Sequence, residues 1–380
     1  MSDRNNHLPA PEFINKQPAF EELMGRLQNE KTLAIDTEAN SLFAYQEQVC
    51  LIQISTETKD YIIDPLPIED LTSLGRICKD PAVEKVFHAS EYDILIMRDD
   101  FDFEFNNLFD TMLAAQILGR EKLGLDTLLQ EIVGIKVNKK YQRANWGKRP
   151  LSNDMLQYAQ MDTHYLIKIR QTLAAELEEK GFNSIAAEDF KLACQVHRQS
   201  KEENIASCWR INGARKLPPQ KAAVLAKLCE YRDDVAQKRN LPVFKILSAK
   251  TLLLLAEESP TSENQLRRLN IPGGKALLRH AEGLVVAIQD GLASKPKLPP
   301  RKERLDDSYL AREKALRNWR KIKARKMKVN SAVVLPREIM YSLISQNPKT
   351  RTELVSLLKD VPWRLDKFGD ELLSVLAKTS

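Results

Sequence analysis

Four carboxylates and one phenol in the first half of the chain have the types and spacings that metal-assisted phosphodiester chemistry needs. Asp36 and Glu38 stand in LAIDTEAN, Asp93 in HASEYDIL, and Tyr158 with Asp162 in YAQMD. On a β-strand, residues i and i+2 leave the same face, so Asp36 and Glu38 emerge together. On a helix, residues i and i+4 are stacked, so Tyr158 and Asp162 emerge together as well. Hard divalent cations such as Mg²⁺ take carboxylate oxygens and keep part of their water shell for a phosphate. Two such ions, roughly 3.5–4 Å apart, clamp the attacking and leaving oxygens of a phosphodiester displacement. The carboxylates are candidate ligands for two ions, Mg²⁺ or Mn²⁺, and Tyr158 joins them as a candidate catalytic residue. The chemistry this suggests is metal-dependent cleavage of a nucleic acid.

Each piece also has an ordinary reading. A D-x-E at a strand end is usually polar punctuation, Asp93 alone fits a surface helix, and Tyr158 alone fits half-buried packing. Asp110-Thr111 reads as a helix N-cap. His88 has no partner at metal-ligand spacing and is expected in a core or orienting role.

These residues need strands and helices to place them. Apolar runs predict strands over Thr32–Thr37, Val49–Ser55, Asp60–Ile63 and Lys85–His88. Helices are expected over Ile68–Cys78, from a Ser90 N-cap through Asp93, and over Thr111–Leu118, Thr127–Ile132 and Asn153–Leu177. Strands followed by interleaved helices imply an α/β layer fold, with residues 1–20 as a loose arm.

Past about residue 200 the strand signals stop. Leu228-Cys-Glu-Tyr-Arg232 resembles Leu316-Arg-Asn-Trp-Arg320, an offset of 88 residues that also aligns Leu247 with Leu335 and Pro260 with Pro348. This predicts two copies of a helical module, joined by the proline-rich basic linker Ser294–Lys302.

A length of 380 residues fits two or three domains, and no apolar run is long enough to span a membrane. The five cysteines lack CxxC pairing, so they are expected as reduced thiols in a cytoplasmic protein. The net charge of +6 divides unevenly: residues 1–200 carry −10 and the remainder +16. An acidic half suited to cations is followed by a basic half suited to phosphates. Lys139, Lys140, Tyr141, Arg143, Trp146 and Arg149 mix cations with rings that could follow a backbone and stack on bases, or form an ordinary basic loop that Trp146 anchors in the core. The run Arg317–Lys328, with Arg320, Lys323 and Lys326, reads as a phosphate-contacting helix.

Taken in order, the motifs resemble the ribonuclease D family, within the tyrosine-bearing DEDD 3′→5′ exonucleases. Asp36-Thr37-Glu38, His88-Ala-Ser-Glu-Tyr-Asp93 and Tyr158-Ala-Gln-Met-Asp162 match its three motifs. Val49-Cys-Leu-Ile-Gln-Ile-Ser55 matches their companion strand, and the two repeats resemble HRDC domains. Ala39-Asn40-Ser41-Leu42 departs towards the eukaryotic exosome-associated nuclease, and Ala144-Asn145 replaces the usual Ser-Asp before Trp146. The resemblance implies a ribonuclease H-like α/β exonuclease domain over 21–200, then all-α HRDC-like modules over 201–293 and 303–380. It also implies that Tyr158 orients the attacking water. The expected activity is 3′→5′ exoribonuclease cleavage of structured RNA ends, with tRNA precursors as substrates, by a cytoplasmic monomer that does not engage a membrane. A DNA 3′→5′ exonuclease and a non-catalytic nucleic-acid-binding protein are the alternatives.

Overall fold

The computed structural model describes residues 8–198, 208–269, 271, 277–296 and 306–379. Among them the chain divides into two compact units, one of residues 1–39, 49–197 and 305–380, the other of residues 40–48 and 198–304.

The first unit holds a six-stranded mixed sheet. Its strands are β1 (Glu12–Ile14), β2 (Thr32–Ala39), β3 (Val49–Ser55), β4 (Asp60–Ile63), β5 (Glu84–Phe87) and β6 (Leu108–Asp110), in the order β1-β4-β3-β2-β5-β6. β2, β3 and β4 pair antiparallel, as expected of an apolar meander, while β5 and β6 add in parallel beside β2. Every residue of β3 and β4 is buried, because helices cover both faces of the central strands. Residues 12–14 are not part of a loose arm: Phe13 pairs in parallel with Ile62, and Ile14 enters the main core. Residues 1–7 of the expected arm lie outside the described residues, as does most of the expected linker.

The helices in chain order are α1 (Gln17–Leu27), α2 (Thr72–Lys79), α3 (Glu91–Phe101), α4 (Thr111–Ile117), α5 (Leu125–Leu128) and α6 (Asn153–His164), of which α3 and α6 carry the site. The run 153–177, expected as one helix, breaks at Tyr165 (φ −103°, ψ 0°) into α6 and α7 (Leu166–Glu179). A further helix, α8 (Asn183–Cys194), follows.

Three helices of the module repeat at an offset of 88 residues with matching bounds. Pro219–Arg239 recurs as Asp307–Met327, Val243–Ile246 as Ser331–Val334, and Ala249–Glu258 as Arg337–Gln346. The left-handed caps recur too, Asn240 with Lys328 and Ser259 with Asn347. Each copy closes on its own apolar core. The second copy also packs on the nuclease-side core, to which it contributes Val333. Arg364, fully buried, pairs with Glu188 Oε2 at 2.8 Å and Asp189 Oδ1 at 2.7 Å, and donates to the Val333 carbonyl at 2.7 Å. At Gly119 (φ +82°) a β-carbon would lie 2.6 Å from the Lys328 carbonyl, so only glycine permits the approach.

The expectation of uniformly reduced cysteines does not hold in the structure. Cys208 and Cys229 form a disulfide across the first module, with Cα atoms 6.2 Å apart. Spacing could not show this, because the helix Pro219–Arg239 brings two distant residues together. Cys50, Cys78 and Cys194 are buried and take no part in a disulfide.

Candidate active site

β2 delivers Asp36 and Glu38 on one face, with Thr37 between them. α3 delivers Asp93 from its first turn, and α6 delivers Asp162 one helical turn beyond Tyr158. α6 lies across the sheet and is tied to β3 by a 2.7 Å bond between the Ser55 and Thr163 hydroxyls. It is tied to β4 through Asp60, which accepts from Gln160 Nε2 at 2.6 Å and pairs with His164 Nδ1 at 2.7 Å.

The structure brings all five residues together. Burial, then the charges of Asp93, Asp162 and Glu38, holds the Asp36 carboxyl well above its ordinary range. Burial, then Asp162 and Asp93, pushes Glu38 up to about 9. Burial raises Asp162 to about 7, with Asp93 adding to it. Asp93 also rises to about 7, chiefly through burial, against the lowering effect of its bonds from Thr37. Burial, then Asp162, Glu38 and Asp36, raises the Tyr158 phenol.

Asp93 is held from β2: Thr37 donates its amide to Oδ1 at 3.1 Å and its hydroxyl at 2.5 Å. Sequence reasoning passed over Thr37; its place between two acids on a strand was the available signal. Asp110 does cap its helix, accepting from the amides of Met112 at 2.8 Å and Leu113 at 3.1 Å. It does more, accepting from the amides of Ala89 at 3.1 Å and Ser90 at 2.8 Å and from the Ser90 hydroxyl at 2.8 Å. Ser90 therefore spends its hydroxyl on Asp110 and gives α3 no side-chain cap. The carboxylate also steadies Ala89, whose φ of 61° a β-carbon disfavours. His88 meets the Thr111 hydroxyl at 2.9 Å, and burial lowers its pKa, which fits the orienting role expected of it.

The donor set is oxygen-only, as a hard cation prefers. None of the four carboxylates takes part in an ion pair among the described residues. No three His, Cys, Asp or Glu side chains among those residues close into a ready-made metal cage. The fit to divalent cations is thus one of donor type and unmet charge.

Tyr158 is flanked by the ring of Tyr141, edge-on at 5.9 Å, and that of Trp146 at 6.1 Å. Trp146 is 1% exposed, so it anchors the loop in the core and presents no face for a base. Arg149 is likewise committed. It grips Asp64 through Nε at 2.6 Å and a terminal nitrogen at 2.7 Å, and donates to the Cys50 carbonyl at 2.8 Å. Lys139 pairs with Asp126 at 2.8 Å, and Lys140 lies 4.8 Å from the Tyr141 ring centre. Arg143 is exposed.

On the basic helix the expectation fails for Arg320, which donates to the Leu335 carbonyl at 2.9 Å and the Ser331 hydroxyl at 3.3 Å inside the module. Lys323 is held by Glu371 at 2.6 Å. Lys326 is exposed. Arg320 and Lys326, on the same helix, divide between contacts inside the module and solvent, which a count of charges does not register.

Residues 11–178 match the family described as 3′-5′ exonuclease, and residues 221–288 and 310–376 match the HRDC domain. Protein RRP6-like 2 of Arabidopsis thaliana is 34% identical over 292 residues, covering 74% of this chain and 34% of that protein. Human exosome complex component 10 is 33% identical over 257 residues, 65% of this chain and 29% of that protein. The chain thus spans only about a third of the length of these relatives. The Trypanosoma brucei RRP6 catalytic core superposes with a TM-score of 0.67 at 27% identity, covering 77% of this chain and 82% of that one. Escherichia coli RNase D, described as an exoribonuclease involved in structured RNA processing, shares the fold. Its TM-score is 0.72 at 24% identity, over 97% of this chain and 99% of that one. By these matches the chain carries a 3′-5′ exonuclease domain over residues 11–178, followed by two HRDC domains. The expected fold class, a mixed α/β exonuclease domain followed by helical modules, stands.

Proposed function

We propose that this protein is a metal-dependent 3′→5′ exoribonuclease that releases nucleoside 5′-monophosphates from the ends of structured RNA, tRNA precursors among them. The observation that carries the reading is the convergence of Asp36, Glu38, Asp93 and Asp162, each raising the charge burden on another, beside Tyr158. Its relatives' names, RRP6, exosome component and RNase D, favour RNA over DNA.

Asp36, Glu38, Asp93 and Asp162 would hold two ions, Mg²⁺ or Mn²⁺. What divalent cations supply when bound is a lowered water pKa and counter-charge for the departing 3′ oxygen. The phenol of Tyr158, its pKa raised above an already high value, keeps its proton at neutral pH. It therefore donates a hydrogen bond that orients the attacking water and does not act as a base. Thr37 fixes the Asp93 carboxylate. Exposed Lys140, Arg143 and Lys326 would follow the phosphate backbone.

The reading includes a monomer in the cytoplasm. No described helix is long and apolar enough to cross a membrane.

The deciding experiment follows 5′-labelled RNA with a 3′ extension, and a matched DNA strand, in Mg²⁺, Mn²⁺ or EDTA. A metal-dependent ladder from the RNA 3′ end, lost in Asp36→Ala and strongly slowed in Tyr158→Phe, supports the proposal. Faster loss of DNA favours the repair-nuclease alternative, and binding without cleavage favours a binding protein.

A further inference from the structure

Gln53 is fully buried, and neither its amide nitrogen nor its amide oxygen has a hydrogen-bond partner. Buried polar side chains are nearly always paired, so an orphaned amide calls for a reason. Its position supplies one. Gln53 stands directly opposite Asp36 in the β2–β3 ladder, and directly opposed residues leave the sheet on the same face. That face is the one α6 covers: Ser55, two residues further along β3 and on the same side, bonds to Thr163, the neighbour of Asp162. The amide is therefore enclosed between the strand bearing Asp36 and the helix bearing Asp162.

Resting on the metal-dependent reading above, we propose that Gln53 is a positioning residue for the carboxylates of the site. When a divalent cation engages those carboxylates, the Gln53 Nε2 donates to an oxygen that the cation leaves free. The bond fixes the rotamer of a carboxylate which otherwise stands among like charges. Ligands of metal ions commonly depend on such outer hydrogen bonds, whose removal weakens affinity about 10–100-fold.

The test compares wild type, Gln53→Met and Asp36→Ala by calorimetric titration with Mn²⁺ and by thermal unfolding in EDTA. Met keeps the length of the side chain and removes both polar atoms. The expected result is Mn²⁺ affinity weakened by about 10-fold or more in Gln53→Met, with an unfolding temperature in EDTA equal to or above that of wild type. RNA cleavage by the variant should recover as Mn²⁺ is raised, which a packing defect would not allow. Wild-type affinity in Gln53→Met would overturn the proposal while leaving the carboxylate site standing. Should wild type bind no better than Asp36→Ala, both the proposal and the underlying reading fail. Gln53→Leu carries the same expectations if the Met variant does not fold.

Discussion

The Thr37 hydroxyl donates to Asp93 Oδ1 at 2.5 Å, so the residue between two of the acids on β2 holds the third acid on α3. One strand thus sets three of the four carboxylates. Thr37→Val keeps the shape and the backbone bond but removes the hydroxyl. We expect divalent-ion affinity to fall about 10-fold or more, with Thr37→Ser close to wild type, as read by Mn²⁺ titration.

The raised carboxylates fix a pH dependence. Unfolded, they ionise near their ordinary 3.8 and 4.5; folded without metal, Asp93 and Asp162 keep protons up to about 7 and Glu38 up to about 9. Between those limits the folded state binds more protons, so its stability falls as pH rises. In EDTA, the unfolding temperature should drop from pH 5 towards pH 9, and Asp36→Asn should flatten the drop. Added Mg²⁺ should restore more stability at pH 8 than at pH 6, because ionised carboxylates bind it without displacing protons. Differential scanning fluorimetry across that range reads both effects.

Arg364 joins α8 to the second module from a fully buried position. Arg364→Ala leaves Glu188 and Asp189 without their cation, and should cost about 3–5 kcal/mol in urea unfolding. The nuclease-side signals should be lost in the same transition.

The basic helix offers a contrast between two cations. Lys326→Ala should lower the dependence of log affinity for RNA on log salt by about 1, without loss of stability. Arg320→Ala should do the reverse, since its guanidinium ties the helix to Leu335 and Ser331. Salt-dependent binding isotherms and melting curves separate the two.

Much of this was legible in the sequence because it depends on local periodicity. β3 and β4 fall on the expected residues, and the module helices recur at the spacing that Tyr231/Trp319 and Pro260/Pro348 suggested. The five site residues follow from spacings of two on a strand and four on a helix. What escaped was decided by tertiary partners. Three-residue strands such as β1 and β6 carry too little pattern, and exist because β4 and β5 offer them edges. Thr37 and Gln53 look like ordinary strand residues until α3 and α6 are placed over them. Trp146, Arg149, Arg320 and Lys323 have the composition of a nucleic-acid surface, yet Asp64, Glu371 and backbone carbonyls claim them first.

The tie between Glu188 and Arg364 spans 176 residues of chain. A ribosome releases α8 long before it makes its partner, and the whole first module emerges in between. That module, with a core of its own, can fold while the nuclease sheet waits with Glu188 and Asp189 still solvated. The two halves therefore mature out of sequence order, and the domain begun first is completed last.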